Sequence, residues 1–239
     1  AAIGALSGPA HGGANEAAIR LFVQIGSPSN VESYVGDMLA RHERIPGFGL
    51  SELGAAMAGT AAADLKLRHR AVTRLIASPL QRTQESALPF SKLFGLEIES
   101  DERIIEPENV FAGKRLRGPN SALKSPANWP YLLNPFRPSW GEAYRSIADR
   151  MLAAMTQAAV ETESGDVVLV SHQLPIWMAH RAIARKPFIH DPRHRRCALS
   201  SITTFELIDP ARPDLGLREV GYSDPAAALN AGALDVGAV

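Results

Sequence analysis

The chain has 239 residues, 46% of them hydrophobic, and its 25 lysines and arginines balance 25 aspartates and glutamates. The composition is that of a globular protein, and the length allows one domain with a sizeable core. A net charge of zero provides no general attraction to nucleic acid or to an anionic membrane, so we expect neither as a partner. No apolar run approaches the roughly 20 residues that span a bilayer. The single cysteine excludes an intrachain disulfide framework and fits a reducing, cytoplasmic location.

The N-terminal stretch is rich in alanine and glycine and has no basic segment followed by an apolar one, as a signal peptide would. We expect residues 1–18 to form a flexible leader and residues 19–239 to form a single domain. The first apolar run, Ile19 to Ile25, predicts a buried strand that ends in the turn at Gly26.

The segments that follow alternate between helix and strand patterns. Ser51 precedes an alanine-rich stretch and predicts a capped helix. Further patterns predict strands at 74–78, 96–100 and 166–172, helices at 79–94, 139–162 and 175–184, and closing antiparallel strands at 201–208 and 216–222. Strands that alternate with helices predict an α/β fold, a three-layer α/β/α sandwich with a mostly parallel central sheet.

Groups suited to phosphate stand where two of these strands end. In a parallel sheet, ligands bind beyond the carboxyl ends of the strands, where helix N-termini add N–H donors. Arg82 lies in the first turn of a helix that follows one strand, and His172 closes another. Glu106, in "DERIIEPEN", adds a carboxylic acid that can reach the same pocket. These residues predict an anion site.

Four segments together resemble the successive motifs of the histidine phosphatase, or phosphoglycerate mutase-like, superfamily: "SELGAAMA", "IASPLQRTQESALPF", "DERIIEPENVFAG" and "VVLVSHQLPI". The segment "NPFRPSWGEAY" resembles an actinobacterial branch of that family. The resemblance implies that a histidine in Arg-His-Gly, after the first strand, attacks phosphorus and becomes phosphohistidine. Two arginines and a second histidine then hold the phosphoryl oxygens, and an acid protonates the leaving oxygen.

The resemblance assigns a role to each matching residue. Arg82 matches the second arginine, His172 the second histidine and Glu106 the acid. Asn30 matches an asparagine that commonly follows the Arg-His-Gly motif, and it also suits a turn. Glu108 is a rival to Glu106 as the acid.

The Arg-His-Gly motif, called the first motif below, does not match. At its expected place the chain reads Gln24-Ile25-Gly26. Gln24 offers phosphate a neutral amide in place of a charged guanidinium, a loss of about one to two orders of magnitude in affinity. Ile25 occupies the nucleophile position and has no lone pair, so it cannot form a phosphoenzyme.

We therefore expect a family member without the phospho-acceptor histidine: a catalytically impaired protein that binds a small phosphorylated molecule or inorganic phosphate and needs no cofactor. The alternative is a phosphomonoester hydrolase of low rate, of the acid phosphatase type, that uses His42, His172 or an activated water. His42 lies in Arg-His-Glu, an echo of the first motif, but no clear strand precedes it.

Two other features leave alternatives open. The run "HDPRHRRC" contains Arg193, Arg195 and Arg196 and is typical of a solvated rim that draws anions towards the strand ends. Its other polar residues, His190, Asp191 and His194, have no diagnostic metal-ligand spacing, so we expect no metal. The aromatic residues of the 129–140 segment can form a homodimer surface or cover the core.

Overall fold

The computed structural model describes residues 2–5, 27, 30, 50–107, 126, 142–191 and 194–230. Its strands are β1 (Ala2–Ala5), β2 (Val72–Ala77), β3 (Glu99–Ser100), β4 (Asp166–Ser171), β5 (Ser201–Leu207) and β6 (Leu217–Ser223). Its α-helices are α1 (Glu52–Leu67), α2 (Gln81–Phe94), α3 (Tyr144–Glu161), α4 (Gln173–Ile183) and α5 (Ala227–Asn230). Short 3₁₀ helices span Glu102–Ile104 and Pro213–Leu215.

The six strands form one sheet in the order β3-β2-β4-β1-β5-β6. The strands β3, β2, β4 and β1 are parallel to one another. The strand β5 runs antiparallel to β1, and β6 runs antiparallel to β5 at the edge. The predicted mostly parallel sheet with two closing antiparallel strands is therefore confirmed.

Helices cover both faces of the sheet. In β4, Val167 and Leu169 pack on one face with residues of α3 and α4. Val168 and Val170 point to the opposite face, where α1 and α2 pack. All four side chains are 1% exposed, which explains why this strand reads as a continuous β-branched run. The arrangement is the predicted three-layer α/β/α sandwich.

Local signals set the ends of the first two helices. The Ser51 side chain accepts a hydrogen bond from the Gly54 N–H at 3.0 Å, so the predicted cap of α1 is confirmed. The helix α2 ends at Gly95, whose φ of 70° is in the left-handed region that glycine adopts at low cost. At its start, Leu80 is extended and serves as the N-cap, so α2 begins two residues later than the predicted start at Pro79. Arg82 is therefore its second residue.

The N-terminal stretch differs from the expectation of a flexible leader over residues 1–18. Ala2–Ala5 form β1, which lies between β4 and β5. Alanine and glycine have weak β propensity, but a slot between two strands offers backbone hydrogen bonds on both sides, and these outweigh propensity. The predicted strand at Ile19 to Ile25 lies outside the described residues.

The third predicted strand, at 96–100, is reduced to the two residues of β3. No helix in the described ranges is long and apolar enough to cross a membrane.

Candidate functional site

The carboxyl ends of β2 and β4 meet the beginnings of α2 and α4. Ser78 directly follows β2, and its N–H donates to the Val170 carbonyl of β4 at 2.9 Å. His172 directly follows β4 and is the N-cap residue of α4. The N-terminal N–H groups and the positive dipole ends of both helices therefore lie at the edge where the sequence predicted the anion site.

His172 is fully buried at this edge and both of its ring nitrogens have partners. Its Nδ1 lies 3.1 Å from Arg82 Nη2, and its Nε2 lies 2.9 Å from Ser78 Oγ. A guanidinium can only donate, so Nδ1 accepts and the ring proton is on Nε2, which donates to Ser78. Burial, together with the charges of Arg82 and Arg150, holds the pKa of His172 well below its usual value. The imidazole is neutral at pH 7.

Glu106 approaches the same ring nitrogen of His172 as Arg82 does. Its Oε2 is 3.5 Å from His172 Nδ1, and 22% of its side chain is exposed. Burial raises the pKa of Glu106 to about 7, against the opposing effect of the Arg82, Arg195 and Arg150 charges. A carboxyl group with that pKa is about half protonated at neutral pH, which suits a general acid or base.

A buried hydrogen bond fixes the segment that carries Glu106. The Ser171 hydroxyl donates to the Ile104 carbonyl at 2.7 Å, and both residues are fully buried. This bond joins the last residue of β4 to the 3₁₀ helix two residues before Glu106. The end of β4 therefore positions both the imidazole and the carboxyl group.

The turn between β2 and α2 positions Arg82. The Thr83 hydroxyl and the Gln84 amide both donate to the Ser78 carbonyl, at 2.9 and 2.8 Å. Burial lowers the pKa of Arg82 while the charge of Glu106 raises it, and an arginine remains charged in either case. The structure thus brings Arg82, Glu106 and His172 together, as the sequence predicted. These three residues are called the strand-end site below.

Sequence reasoning missed two further arginines at this site. Arg150 projects from α3, and its charge lowers the pKa of both Glu106 and His172. It is paired with Glu142 at 2.9 Å and also donates to the Arg103 carbonyl. Nothing in the sequence distinguishes this arginine from any other polar residue of a helix.

The second missed residue is Arg195, from the run expected to be a solvated rim. Its neighbours fit that expectation, because the side chains of His194 and Arg196 are 81% and 48% exposed. Arg195 itself is partly buried, and its Nη1 donates to Gln173 Oε1 at 3.1 Å. Gln173 directly follows His172, so the rim assignment needs correction for this residue.

The histidines of the same run do not form a metal centre in the described ranges, where no group of three His, Cys, Asp or Glu residues could hold a metal ion. His190 Nε2 accepts from Arg195 at 2.8 Å, so its proton is on Nδ1, which donates to the Phe188 carbonyl at 2.8 Å. Both nitrogens of His190 are therefore engaged.

The remaining predicted residues stay predictions. Asn30 is exposed, and its N–H donates to the Ser27 carbonyl at 3.0 Å, as in a turn. Its contact with phosphate is untested. Gln24, Ile25, His42 and Glu108 lie outside the described residues.

The family is decided by the sequence profile of the histidine phosphatase superfamily (branch 1), which matches residues 36–216. The chain belongs to the histidine phosphatase superfamily. The uncharacterized protein Rv0525 of Mycobacterium tuberculosis is 46% identical over 184 residues, which cover 77% of this chain and 88% of that relative.

Solved structures of the superfamily share the fold. A mycobacterial glucosyl-3-phosphoglycerate phosphatase aligns with a TM-score of 0.52 and 22% identity, over 72% of this chain and 84% of its own. A phosphoserine phosphatase from Entamoeba histolytica, in complex with 3-phosphoglyceric acid, aligns with a TM-score of 0.55 and 16% identity, over 73% and 84% of the two chains. At these identities the similarity shows the fold alone.

A different family matches the N-terminal segment. The profile of the citrate synthase C-terminal domain matches residues 1–53. Citrate synthase 2 of Bacillus subtilis is 51% identical over 49 residues, which are 20% of this chain and 13% of that enzyme. A 2-methylcitrate synthase of Mycobacterium tuberculosis is 52% identical over 48 residues, or 20% and 12%. The chain thus spans only a small part of these enzymes.

This second match bears directly on the first motif. Gln24 and Ile25 lie inside the citrate synthase match and before residue 36, where the phosphatase match begins. The stretch compared with the first motif therefore lies outside the phosphatase match.

Proposed function

We propose that this chain binds inorganic phosphate or a small phosphomonoester at the strand-end site, and that it forms no phosphohistidine. The observation that supports phosphate binding is the contact of His172 with both Arg82 and Glu106 beside two helix N-termini. A guanidinium and helix N-terminal N–H groups are the donors that phosphate oxygens prefer. Related solved structures support the ligand class, since the mycobacterial phosphatase has also been crystallised with inorganic phosphate.

The first motif can be located by sequence pattern or by strand register, and both support the absence of a phospho-acceptor. By sequence pattern, the nucleophile position is Ile25. By strand register, Ala5 pairs with Ser171, the residue before His172, and the chain continues as Leu6-Ser7-Gly8. Neither three-residue stretch contains a histidine, and the first histidine after β1 is His11, six residues beyond Ala5.

His172 is poorly suited to replace the missing nucleophile. Attack on phosphorus requires a free nitrogen lone pair. The Nδ1 lone pair of His172 accepts from Arg82, and Nε2 carries the proton that is donated to Ser78. The imidazole therefore acts as a fixed part of the anion site.

We further infer that the chain is composite. Residues before 36 descend from a citrate synthase-like sequence, and the junction with the phosphatase-like part lies where the two matches overlap, within residues 36–53. The missing nucleophile is then explained without point mutations, because Gln24 and Ile25 lie in the part of the chain that only the citrate synthase family matches.

A second candidate function is slow hydrolysis of phosphomonoesters by water. The observation that favours it is the pKa of Glu106, which burial raises to about 7 and which suits proton transfer at neutral pH. Without covalent catalysis most of the rate enhancement would be lost, since catalytic groups that act as a unit are strongly non-additive.

The test separates binding from catalysis. Titration calorimetry with inorganic phosphate should show binding that Arg82→Gln weakens by about one to two orders of magnitude, the loss expected for one charge-assisted contact. Arg212→Gln, which removes an exposed arginine paired with Asp214, serves as the control. Incubation with a ³²P-labelled phosphomonoester should yield no acid-labile phosphoenzyme. A stoichiometric phosphoenzyme would overturn the proposal.

A further inference from the structure

We propose that Arg195 is a ligand of the phosphoryl group, so that the strand-end site holds its anion between two guanidinium groups, those of Arg82 and Arg195. The inference rests on the proposed phosphate-binding function and adds a residue from outside the motifs of the family resemblance. It gives the site a second cation that does not come from the first motif.

The hydrogen bonds of Arg195 fix its guanidinium from one side only. Nε donates to His190 Nε2 at 2.8 Å and Nη1 donates to Gln173 Oε1 at 3.1 Å. Its Nη2 makes no hydrogen bond to any residue in the described part of the chain. Part of the donor fork is therefore held rigidly, and the rest is available to a ligand.

The charge of Arg195 is also not neutralised. Both of its hydrogen-bond partners are neutral acceptors, and no carboxylate within the described ranges lies within ion-pair distance. Its neighbour Arg196, in contrast, pairs with Glu219. The charge of Glu106 acts on Arg195 without forming an ion pair with it, and a bound anion would lower the cost of burying this cation further.

The position of the side chain directs this unpaired charge to the strand-end site. Gln173, which holds Nη1, is the first residue of α4 and follows His172 directly. The Gln173 amide in turn donates to the Cys197 carbonyl at 2.8 Å, which ties the loop of Arg195 to the start of α4. The charges of Arg195 and Arg82 both act on the Glu106 carboxyl group and lower its pKa against the effect of burial. Both guanidinium groups therefore lie close enough to Glu106 for their charges to act on its carboxyl group.

Two guanidinium groups on one phosphate would explain how the chain binds its ligand without the arginine of the first motif. Each guanidinium presents parallel N–H donors that match two phosphoryl oxygens. Lysine in the same place would keep the charge but lose the parallel N–H donors. The phosphate affinity of Arg195→Lys should therefore lie between those of the wild-type protein and Arg195→Gln.

The test is the affinity for inorganic phosphate, measured by titration calorimetry on the full chain. Arg195→Gln should raise Kd by about ten- to hundredfold, as expected for one charge-assisted contact. The matched control is Arg196→Gln, which removes the same charge one residue away and should change Kd by less than about threefold, since an exposed charge is screened by salt. Near-UV circular dichroism checks that each variant is folded.

The outcomes separate the two proposals. If the wild-type protein does not bind phosphate, the proposed function is wrong. If it binds and Arg195→Gln leaves Kd unchanged, or if Arg196→Gln weakens binding equally, only the role of Arg195 is wrong. If Arg195→Gln does not fold, Arg195→Lys decides: a severalfold rise in Kd supports the inference, and an unchanged Kd overturns it.

Discussion

The Nη2 atom of Arg82 lies 3.1 Å from Nδ1 of His172, and this contact determines the hydrogen-bonding state of the whole site. Because arginine cannot accept, the imidazole must accept at Nδ1 and donate from Nε2 to Ser78, which is itself fully buried. Both ring nitrogens of His172 are therefore engaged, one as an acceptor and one as a donor.

The first prediction concerns Ser78, the acceptor for the His172 ring proton. Ser78→Ala leaves a buried N–H without a partner and should lower the free energy of unfolding by about 1 to 3 kcal/mol. Chemical denaturation at pH 7.5 measures the change. Thr60→Ala, which removes an exposed hydroxyl that bonds within α1, is the control and should cost less than about 1 kcal/mol. Equal stability of Ser78→Ala and the wild-type protein would contradict the assigned tautomer.

The second prediction concerns pH and Glu106. Its pKa rises from 4.5 to about 7 on folding, so the folded state binds more protons than the unfolded state between these values. The contribution of this residue to stability therefore falls as pH rises through that window. Glu106→Gln cannot ionise and should be more stable than the wild-type protein at pH 8 by about 1 to 3 kcal/mol, with the difference vanishing near pH 4.5. Denaturation curves at several pH values test this, and a difference that does not depend on pH would refute it.

His172 gives a pH effect of the opposite sign. Because its pKa in the folded protein lies well below 6.5, the unfolded state binds more protons as pH falls through 6.5. Stability from this group is complete above that pH and declines below it. In the Glu106→Gln background, where the opposing titration is absent, stability should fall as pH decreases from 7 to 5. A second substitution, His172→Asn, should remove most of that slope.

The third prediction is that phosphate binding takes up protons near pH 7. An anion that binds Arg82 and Arg195 screens the two positive charges that lower the pKa of Glu106, so this pKa should rise further and the carboxyl group should gain part of a proton. Calorimetric titration with phosphate in buffers of different ionisation enthalpy measures the number of protons. Glu106→Gln should show less uptake than the wild-type protein, and equal uptake by both would assign the protons to another group.

The fourth prediction restores the first motif. Ala5, the last residue of β1, pairs with Ser171, and residues 6 and 7 follow it in the sequence. Replacing Leu6→Arg together with Ser7→His would write Arg-His before the existing Gly8. This double variant should form an acid-labile phosphoenzyme with a labelled phosphomonoester. The pair Gln24→Arg and Ile25→His is the matched comparison, and a phosphoenzyme from that pair alone would show that residues 19–25 take the role of the family's first strand.

Most of the fold and three residues of the site were predictable because each rests on a local signal. The β-branched run of β4 and the Ser51 cap predict their elements directly. Arg82, Glu106 and His172 follow from strand ends that meet at one edge, and the structure places them in contact.

The residues that sequence reasoning missed make contacts with residues that are distant in the sequence. Arg195 lies beside the start of α4, where its guanidinium donates to Gln173, 22 residues before it, and to His190. A run of three arginines in sequence gives no sign of which one is buried. Arg150 is similar, since its helix pattern is set by apolar residues on its other faces.

The N-terminal segment was difficult for a different reason. Residues 21–26, "LFVQIG", have the apolar run and glycine of a strand and turn, but they lie within residues 1–53, which match the citrate synthase family. A short apolar run alone does not distinguish a buried strand from a buried helix segment.

The slot between β4 and β5 has a consequence for how such a protein can arise. Main-chain amides and carbonyls are the same in every residue except proline, so an extended segment of unrelated ancestry can complete the sheet there. The chemistry of the superfamily depends on two side chains beyond the end of that segment, whereas its architecture depends on backbone pairing within it. The fold and the catalytic chemistry can therefore be inherited separately when two sequences join at a single point. An intact α/β/α sandwich can then evolve as an anion-binding protein.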